Sequence, residues 1–430
     1  MQGNLISTLV AILLYLTSGF FGGGSSAPSN PGSALPANPD SLFPKAGVVS
    51  SQQANIRSSA SSSSSVVGMA AKNTPVIILS ENKDWYQIQT DSGISGWVAK
   101  WMISAKNYAT GTMSKRKTIA GYYVENYYND PVGYQVLSQH LGTINTVIPF
   151  SFNVDQYGTI RSSHNPKPVN LAKSAGATTL ALVNNIKGDN FNSNVIHKML
   201  TSSTSRSKAV QGIRRMVLEK GYNGVNIDFE NVPAKDRIYL TAFFRELAAE
   251  LRPKGLLVTA SVPAKTADDR SSSHGGAYDY TALAPYLDQV MIMTYDEHYA
   301  GGPAGPVASY PWVERVINYA LKSFGPSKIV LGIAGYGYDW SWNSGRALNN
   351  GAIQNLIKKY KVAPKWHSTY KVPYFTYKNW GTTHQVWYEN SHSTAAKMDL
   401  VRKYGLRGVA VWRLGYEDPG IWGMIRQGLY

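Results

Sequence analysis

The sequence contains no cysteine among its 430 residues. Without cysteine the chain has no disulfide bond, no thiolate metal ligand, no cysteine nucleophile and no lipid-modified cysteine near its start. A chain of this length buries enough apolar surface to fold without such covalent links. The absence of cysteine therefore excludes these cysteine-dependent sites, but it does not argue against a stable, exported protein.

Charge is absent from the first 39 residues, because Asp40 is the first charged side chain. The run from Leu5 to Phe21 is mainly apolar, and Gly, Ser, Pro and Ala dominate residues 22–43. This order is typical of a signal peptide, although the basic residues that normally precede the apolar run are missing. We predict a signal peptide or an N-terminal membrane anchor over residues 1–26, a flexible linker over 27–43, and export from the cytoplasm.

Acidic residues are few relative to basic ones, with 26 Asp and Glu against 42 Lys and Arg, which gives a net charge of +16. A basic surface attracts polyanions. The cations are scattered and form no basic runs interleaved with aromatic residues, so we expect an anionic cell wall rather than nucleic acid as the partner. Solubility alone explains the charge equally well. The 28 Tyr and 11 Trp suit sugar rings, although such residues also fill cores.

Residues 44–105 form a candidate small all-β domain, since short apolar runs alternate with turns. The strands are predicted at Ala54–Arg57, Val66–Met69, Val76–Leu79, Trp85–Gln89 and Gly96–Val98. The segments ANIRSS, DWYQI and SGWVAKWMI resemble bacterial Src-homology-3-like domains that accompany cell-wall hydrolases. The resemblance implies a five- or six-stranded barrel that binds wall peptide or glycan. A spacer without a ligand is the alternative.

Residues 115–430 alternate strand-like and helix-like segments, which predicts an α/β fold of the (β/α)₈ TIM barrel type. One connection is too long for a simple crossover and indicates a small α+β insertion over residues 340–391, between strands 7 and 8. Its helix is predicted at Ala352–Tyr360. The eight barrel strands are predicted at Thr118–Val124, Thr146–Val154, Thr178–Val183, Gly224–Glu230, Leu256–Pro263, Gln289–Tyr295, Ile329–Tyr336 and Gly408–Leu414.

Strand 4 ends with three polar residues, Asn226, Asp228 and Glu230, at alternate positions. Alternate residues of a strand share one face, so all three are expected inside the barrel, at the strand end where barrel enzymes place their catalysis. Buried carboxyl groups that merely pair with arginine are the structural alternative, and Arg413 is the candidate partner. Two neighbouring carboxyl groups raise one pKa, and a carboxyl group that stays protonated can act as a general acid.

The segment Gly221–Glu230, GYNGVNIDFE, resembles the strand-4 signature of glycoside hydrolase family 18, usually DGxDxDxE. Asn223 and Asn226 stand where the first two Asp residues are usual, a departure that resembles the bacterial spore-cortex and cell-wall branch. Further segments that match in order are LLVTASVPAKT, MIMTYDEHYAGGPAGPVAS, KIVLGIAGYGYDW and the stretch from His384 to Asp418. The resemblance spans about residues 117–428.

The resemblance implies a role for each of four residues. Glu230 would protonate the glycosidic oxygen and then activate water, while Asp228 would orient the N-acetyl group of the substrate, whose oxygen attacks the anomeric carbon. Tyr295 would hydrogen-bond that oxygen, and Trp412 would form the floor under the sugar. With Asn at 226, Asp228 has no neighbouring carboxylate there with which to share a proton. The reaction needs no cofactor.

Other residues are weaker candidates for substrate binding, and core packing explains several of them equally well. They are Asn226, Asp296, Tyr122, Tyr338 and Trp387. No metal is expected, because Asp296, Glu297 and His298 have no further histidine at ligand spacing. Gly335 and Gly337 lack the further residues of a nucleotide-binding loop. We expect a monomer.

Three functions remain open at this point. The first is a peptidoglycan hydrolase of the N-acetylglucosaminidase type that acts outside the cell on the wall or spore cortex. The second is a chitinase or chitooligosaccharide hydrolase, for which a wall-type accessory domain is less suitable. The third is a non-catalytic glycan-binding protein, which would normally have lost the acid that Glu230 supplies here.

Overall fold

The structure is a computed structural model that describes residues 45–90, 93–106, 116–342 and 344–429. The predicted signal peptide or anchor and the linker lie outside these residues. Among the described helices, none is long and apolar enough to cross a membrane.

The small domain is an antiparallel sheet of seven strands, not the five or six that were predicted. All five predicted strands are present, together with one further strand at each end of the domain. Lys45–Val49 pairs with Pro75–Asn82, and Ile103–Lys106 pairs with Lys45–Val49. Its core is aliphatic and includes Ile56, Ile78, Ile88 and Val98. The strands are β1 Lys45–Val49, β2 Gln53–Arg57, β3 Val66–Ala71, β4 Pro75–Asn82, β5 Trp85–Thr90, β6 Ser95–Ala99 and β7 Ile103–Lys106.

The large domain contains eight parallel strands, and the prediction of a (β/α)₈ barrel is confirmed. The first strand pairs with both the second and the last, which closes the cylinder. The barrel strands are β8 Thr118–Tyr123, β9 Thr146–Val154, β11 Thr178–Asn184, β14 Gly224–Asp228, β15 Leu257–Pro263, β16 Gln289–Met293, β17 Ile329–Ala334 and β23 Gly408–Trp412. Short extra strands are β10 Ile160–Ser162, β12 Ile186–Lys187 and β13 Asn190–Phe191.

Helices surround the barrel and bury one face against it. Several begin at an Asp, Asn or Ser side chain that accepts a backbone N–H of the first turn, as Asp130, Asn165, Asn192 and Ser202 do. The helices are α1 Pro131–His140, α2 Pro166–Ser174, α3 Ser193–Thr201, α4 Ser203–Glu219, α5 Arg237–Leu251, α6 Tyr280–Leu283, α7 Tyr310–Ala320, α8 Asn350–Tyr360, α9 Ser391–Lys403 and α10 Ile421–Leu429.

The barrel strands are buried on both faces, which explains their nearly continuous apolar sequence. Their outer faces form one large core with the helices, around residues such as Ile227, Phe243 and Leu247. Their inner faces form a smaller core that includes Leu180, Leu182, Leu257, Met291 and Val330. This inner core closes the interior below the polar strand ends.

The insertion between β17 and β23 is confirmed as α+β, but its sheet begins at Tyr336, four residues before the predicted boundary at residue 340. Five antiparallel strands and α8 make up the insertion. The sequence could not show the boundary, because the apolar run of β17 continues directly into the first insertion strand. Its strands are β18 Tyr336–Ser341, β19 Ser344–Asn349, β20 Lys365–His367, β21 Val372–Asn379 and β22 Thr382–Tyr388.

The buried carboxylate of Asp339 joins the insertion strands. It accepts hydrogen bonds from the Tyr377 hydroxyl at 2.7 Å and the Arg346 guanidinium at 3.0 Å, and it contacts His384 Nδ1 at 2.9 Å. Trp340 also donates its indole N–H to the Tyr299 carbonyl in the loop after β16. These contacts fix the insertion as one wall above the barrel.

Barrel closure leaves no room for a side chain at Gly408, because a Cβ there would overlap the carbonyl oxygen of Thr118 on β8. We predict that Gly408→Ala lowers the free energy of unfolding by about 2–3 kcal/mol through overpacking. Urea unfolding measures the loss. Gly423→Ala is the matched control, since no atom lies within 4 Å of its added Cβ. Equal stabilities of the two variants would contradict the argument.

Candidate active site

A cleft of about 870 Å³ opens at the carboxyl ends of the barrel strands. Residues from seven of the eight barrel strands and from the loops that follow them line it. They include the predicted Tyr122, Asp228, Glu230, Tyr295, Asp296 and Trp412, together with Phe150, Asn153, Ser261, Met293, Tyr336 and Arg413. The cleft therefore brings together six of the nine residues that the sequence indicated.

Glu230 lies two residues beyond the end of β14, and its backbone is held from two sides. The Asn185 side chain accepts the Glu230 N–H at 2.9 Å and donates to the Glu230 carbonyl at 2.9 Å. The Tyr278 hydroxyl donates to the carbonyl of the preceding Phe229. Asn185 is fully buried, so these bonds compete little with water. The direction of the Glu230 side chain is thus fixed by its backbone.

Three carboxyl groups face the same buried space, namely Asp228, Glu230 and Asp296. Burial raises the pKa of Asp228 to about 7. Burial, followed by the charges of Asp228 and Asp296, raises the pKa of Glu230 well above its usual value. The charges of Asp228 and Asp296 make ionisation of Glu230 more costly, and burial adds to this cost, so the protonated form of Glu230 is favoured.

Asp296 follows β16 with a left-handed backbone, φ +61°. Its Oδ1 accepts hydrogen bonds from the Tyr336 hydroxyl at 2.6 Å and the Tyr338 hydroxyl at 2.9 Å. Burial raises the pKa of Asp296, and these two hydrogen bonds oppose the rise. Of the three carboxyl groups, Asp296 is therefore the one whose charge is stabilised by protein donors.

Asn226 points into the barrel below the cleft and does not line it. Its Nδ2 donates to Thr259 Oγ1 at 3.1 Å, and its Oδ1 accepts from Ser261 Oγ at 2.9 Å. Ser261 also contacts the Tyr122 hydroxyl at 2.8 Å. This network engages both ends of the amide, so Asn226 supports the site from beneath and makes no bond to Asp228.

Aromatic rings form the floor of the cleft. Trp412 packs edge-on against Tyr122, with ring centroids 5.3 Å apart, and against Phe150 at 5.8 Å. Trp412 remains partly exposed to the cleft. Tyr295 lies against the ring of Tyr336, with centroids 6.2 Å apart. The arrangement offers an apolar surface beside the carboxyl groups, which suits a sugar ring.

Two of the predicted substrate-binding residues do not line the cleft. Tyr338 is fully buried in the insertion, where it acts through its hydrogen bond to Asp296. Trp387 is 8% exposed and stacks on Tyr374, with ring centroids 4.5 Å apart. For Trp387 the packing alternative therefore describes the structure better than sugar contact.

Sequence reasoning missed Asn185, Tyr278 and Tyr336. Asn185 follows a barrel strand end, and that position is the one signal that could have identified it. Arg413, the suggested partner of the buried acids, donates instead to Asn126 Oδ1 at 2.8 Å and packs on Tyr416. Across the part of the chain that the structure describes, no cluster of three His, Asp or Glu residues could hold a metal ion.

Two family models match the chain. Residues 118–417 match the model for glycosyl hydrolases family 18, and residues 52–104 match the bacterial SH3 domain. The uncharacterized glycosylase YvbX of Bacillus subtilis (strain 168) is 30% identical over 76% of this chain and 99% of its own length. The family 18 match covers the barrel strands and the insertion together.

Solved structures of glycan-cleaving enzymes are also similar to this chain. The Bacillus cereus spore cortex-lytic enzyme SleL superposes with a TM-score of 0.69 at 26% identity, over 74% of this chain and 76% of its own. A chitinase from Chromobacterium violaceum ATCC 12472 superposes with a TM-score of 0.69 at 31% identity, over 73% of this chain and 99% of its own.

The Asn185 contacts generate a test of how Glu230 is positioned. Glu230 is the expected proton donor, and a displaced carboxyl group transfers a proton less efficiently. We therefore predict that Asn185→Leu lowers kcat by at least about tenfold while KM changes little. Glycan hydrolysis by the purified variant measures both constants.

Asn145→Leu is the matched control for that variant. Asn145 also bonds one backbone carbonyl, at Lys117, and one backbone N–H, at Ile119, but at the opposite end of the barrel. It should lose stability without losing kcat. Equal losses of kcat in the two variants would leave Asn185 with a purely structural role.

The raised pKa of Asp228, about 7, also predicts a pH dependence of stability. In the unfolded chain this group loses its proton near pH 4, so stability falls as pH rises from about 4 to about 7. Asp228→Asn removes that loss. We expect its Tm to exceed that of the parent chain at pH 8 by more than at pH 4.5. The exposed Asp189→Asn is the control, and a gain in the Tm of Asp228→Asn that does not depend on pH would contradict the assignment.

Proposed function

The chain belongs to glycosyl hydrolase family 18 and is a glycosidase, and from this premise we propose that it cleaves β-1,4 bonds of the N-acetylated glycan of peptidoglycan. The observation that carries the proposal is the cleft in which Glu230 lies among buried carboxyl groups above an aromatic floor. The proposed site of action is outside the cell, in the wall or the spore cortex.

Glu230 is the proposed general acid and base. Its raised pKa keeps the proton available for the leaving oxygen, which lowers the barrier to breaking the glycosidic bond. Once the leaving group has departed, the carboxylate accepts a proton from the incoming water. The two hydrogen bonds between the Asn185 side chain and the Glu230 backbone support this role, because both steps require the carboxyl group to stay within hydrogen-bond reach of one oxygen.

Asp228 is the proposed partner of the substrate N-acetyl group. No hydrogen bond from a described side chain occupies its carboxylate, so it is available to accept the acetamido N–H. The acetamido oxygen would then attack the anomeric carbon, in a substrate-assisted route that needs no second protein nucleophile. Tyr295 would donate to the acetamido oxygen, and Trp412 would support the sugar face from below.

Peptidoglycan is favoured over chitin by two independent features of the chain. The bacterial SH3 domain precedes the catalytic barrel, and we propose that it holds the enzyme on the wall. The net charge of +16 suits a glycan that carries carboxylate groups, whereas chitin is neutral. The similarity to the B. cereus spore cortex-lytic enzyme supports this choice. The equal TM-score of the C. violaceum chitinase keeps chitin hydrolysis as the second candidate.

Digestion of purified glycans tests the proposal. Vegetative peptidoglycan, spore-cortex peptidoglycan and colloidal chitin would be incubated with the parent chain and with Glu230→Gln, and the products analysed by mass spectrometry. We predict new reducing ends at N-acetylglucosamine from peptidoglycan. The variant should lose at least about 100-fold in kcat, because a general acid contributes that much to proton transfer.

Each alternative outcome has a distinct meaning. Products from chitin alone would establish the second candidate. Full activity of Glu230→Gln would contradict the assignment of the acid. Binding without products from any of the three glycans would contradict the proposed hydrolysis of these substrates and indicate a glycan-binding protein instead.

A further inference from the structure

Two tryptophans occupy hairpin turns of the insertion and are almost fully exposed. Trp342 follows β18 and is 87% exposed, and Trp380 lies between β21 and β22 and is 97% exposed. Both have a left-handed backbone, with φ +55° and +50°. Gly381, the second central residue of its turn, is also left-handed at φ +79°. The β21–β22 turn thus has the two positive φ angles of a type I′ hairpin.

Neither tryptophan is explained by folding. The first central position of such a turn favours Asn, Asp or Gly, because a larger side chain strains the left-handed backbone. Burial does not offset that strain, since both indoles remain in water. Each of the two tryptophans lowers stability at its turn without any gain from burial. This indicates a function for the exposed rings.

The two turns lie at the same end of the insertion sheet. Ser341 pairs with His384, and Asn379 pairs with Thr382, so both turns lie at the end of the sheet opposite Tyr336, the first residue of β18. From strand spacing and rise, the two backbones are on the order of 10 Å apart. Tyr336 at the start of β18 lines the cleft, and six residues of strand place Trp342 roughly 20 Å from it. The pair is therefore close to the cleft but outside it.

The surface of the insertion is basic. Residues 336–389 contain seven Lys and Arg but only Asp339 and Glu389 as acids. Both acids are buried and engaged, Asp339 with Arg346 and Glu389 with Lys397 at 2.6 Å. Lys378 is exposed and pairs in register with Thr383, beside the two turns. Lys378 thus places one exposed positive charge beside the exposed rings.

We propose that Trp342 and Trp380 form a second glycan-binding site, which holds a carboxylate-bearing N-acetylated glycan strand outside the cleft. The indole faces stack on sugar rings, and Lys378 attracts the carboxylates of the strand. This inference rests on the proposed function and adds to it, since the site retains the polymer next to the cleft between cleavage events. A short soluble oligosaccharide that fills only the cleft gains nothing from it.

The test uses the full chain with Trp342→Asn and Trp380→Asn combined. Asn suits a left-handed turn, so the variant should fold and unfold at a Tm equal to or above that of the parent chain. Sedimentation with insoluble peptidoglycan is expected to show roughly tenfold weaker binding, or about 1.4 kcal/mol. Its kcat/KM on a soluble N-acetylated oligosaccharide should stay unchanged. Tyr157→Asn is the control, because it removes a 64% exposed aromatic ring from another turn.

Lys378→Gln tests the electrostatic part of the same site. It should weaken sedimentation with peptidoglycan at low salt, have less effect at high salt, and leave binding to colloidal chitin unchanged. Undiminished peptidoglycan binding by the double tryptophan variant would overturn the inference. So would a parallel loss on the soluble oligosaccharide, which would place the rings in the cleft itself. If the parent chain cleaves no glycan, the proposed function fails, whereas the sedimentation result still decides the second site.

Discussion

The carboxyl groups of Asp228, Glu230 and Asp296 share one buried cleft, and the cost of ionising them together shapes the whole site. Each charge raises the free energy of placing another beside it, and the low polarity of the surroundings adds to this cost. The Tyr336 and Tyr338 hydroxyls stabilise the charge on Asp296. The protonated form of Glu230 is therefore favoured, as its proposed role of general acid requires.

The barrel makes this arrangement possible because the carboxyl ends of its parallel strands all lie at the same end of the barrel. An aspartate at position 226, as in the usual family motif, would add a fourth carboxyl group to the same region. Asn226 instead makes hydrogen bonds to Thr259 and Ser261 without adding a charge. Asn185 then fixes the backbone of Glu230 through both its N–H and its carbonyl. Neutral amides thus support the site where charged side chains would increase its cost.

The sequence predicted the barrel and its eight strands from strand periodicity, and Asp228 and Glu230 from polar residues at a strand end. Tyr295 and Trp412 followed from the family resemblance, and Asp296 and Tyr122 were weaker candidates. Sequence patterns did not reveal contacts between segments that are far apart in the chain. The hydrogen bond from Asn185 to the Glu230 carbonyl joins two different strand ends. The packing of Trp387 on Tyr374 depends on the register of two insertion strands. The two outer strands of the small domain lie at its limits, where short runs carry little signal.

The protonation state of Glu230 can be measured directly. Infrared difference spectra between the parent chain and Glu230→Gln, recorded through a pH titration, isolate the carboxyl band of this residue. We predict that the band of the protonated acid persists at neutral pH and disappears only well above the usual range for a glutamate. Loss of that band near pH 4–5, the range of an ordinary glutamate, would show that the pKa of Glu230 is not raised.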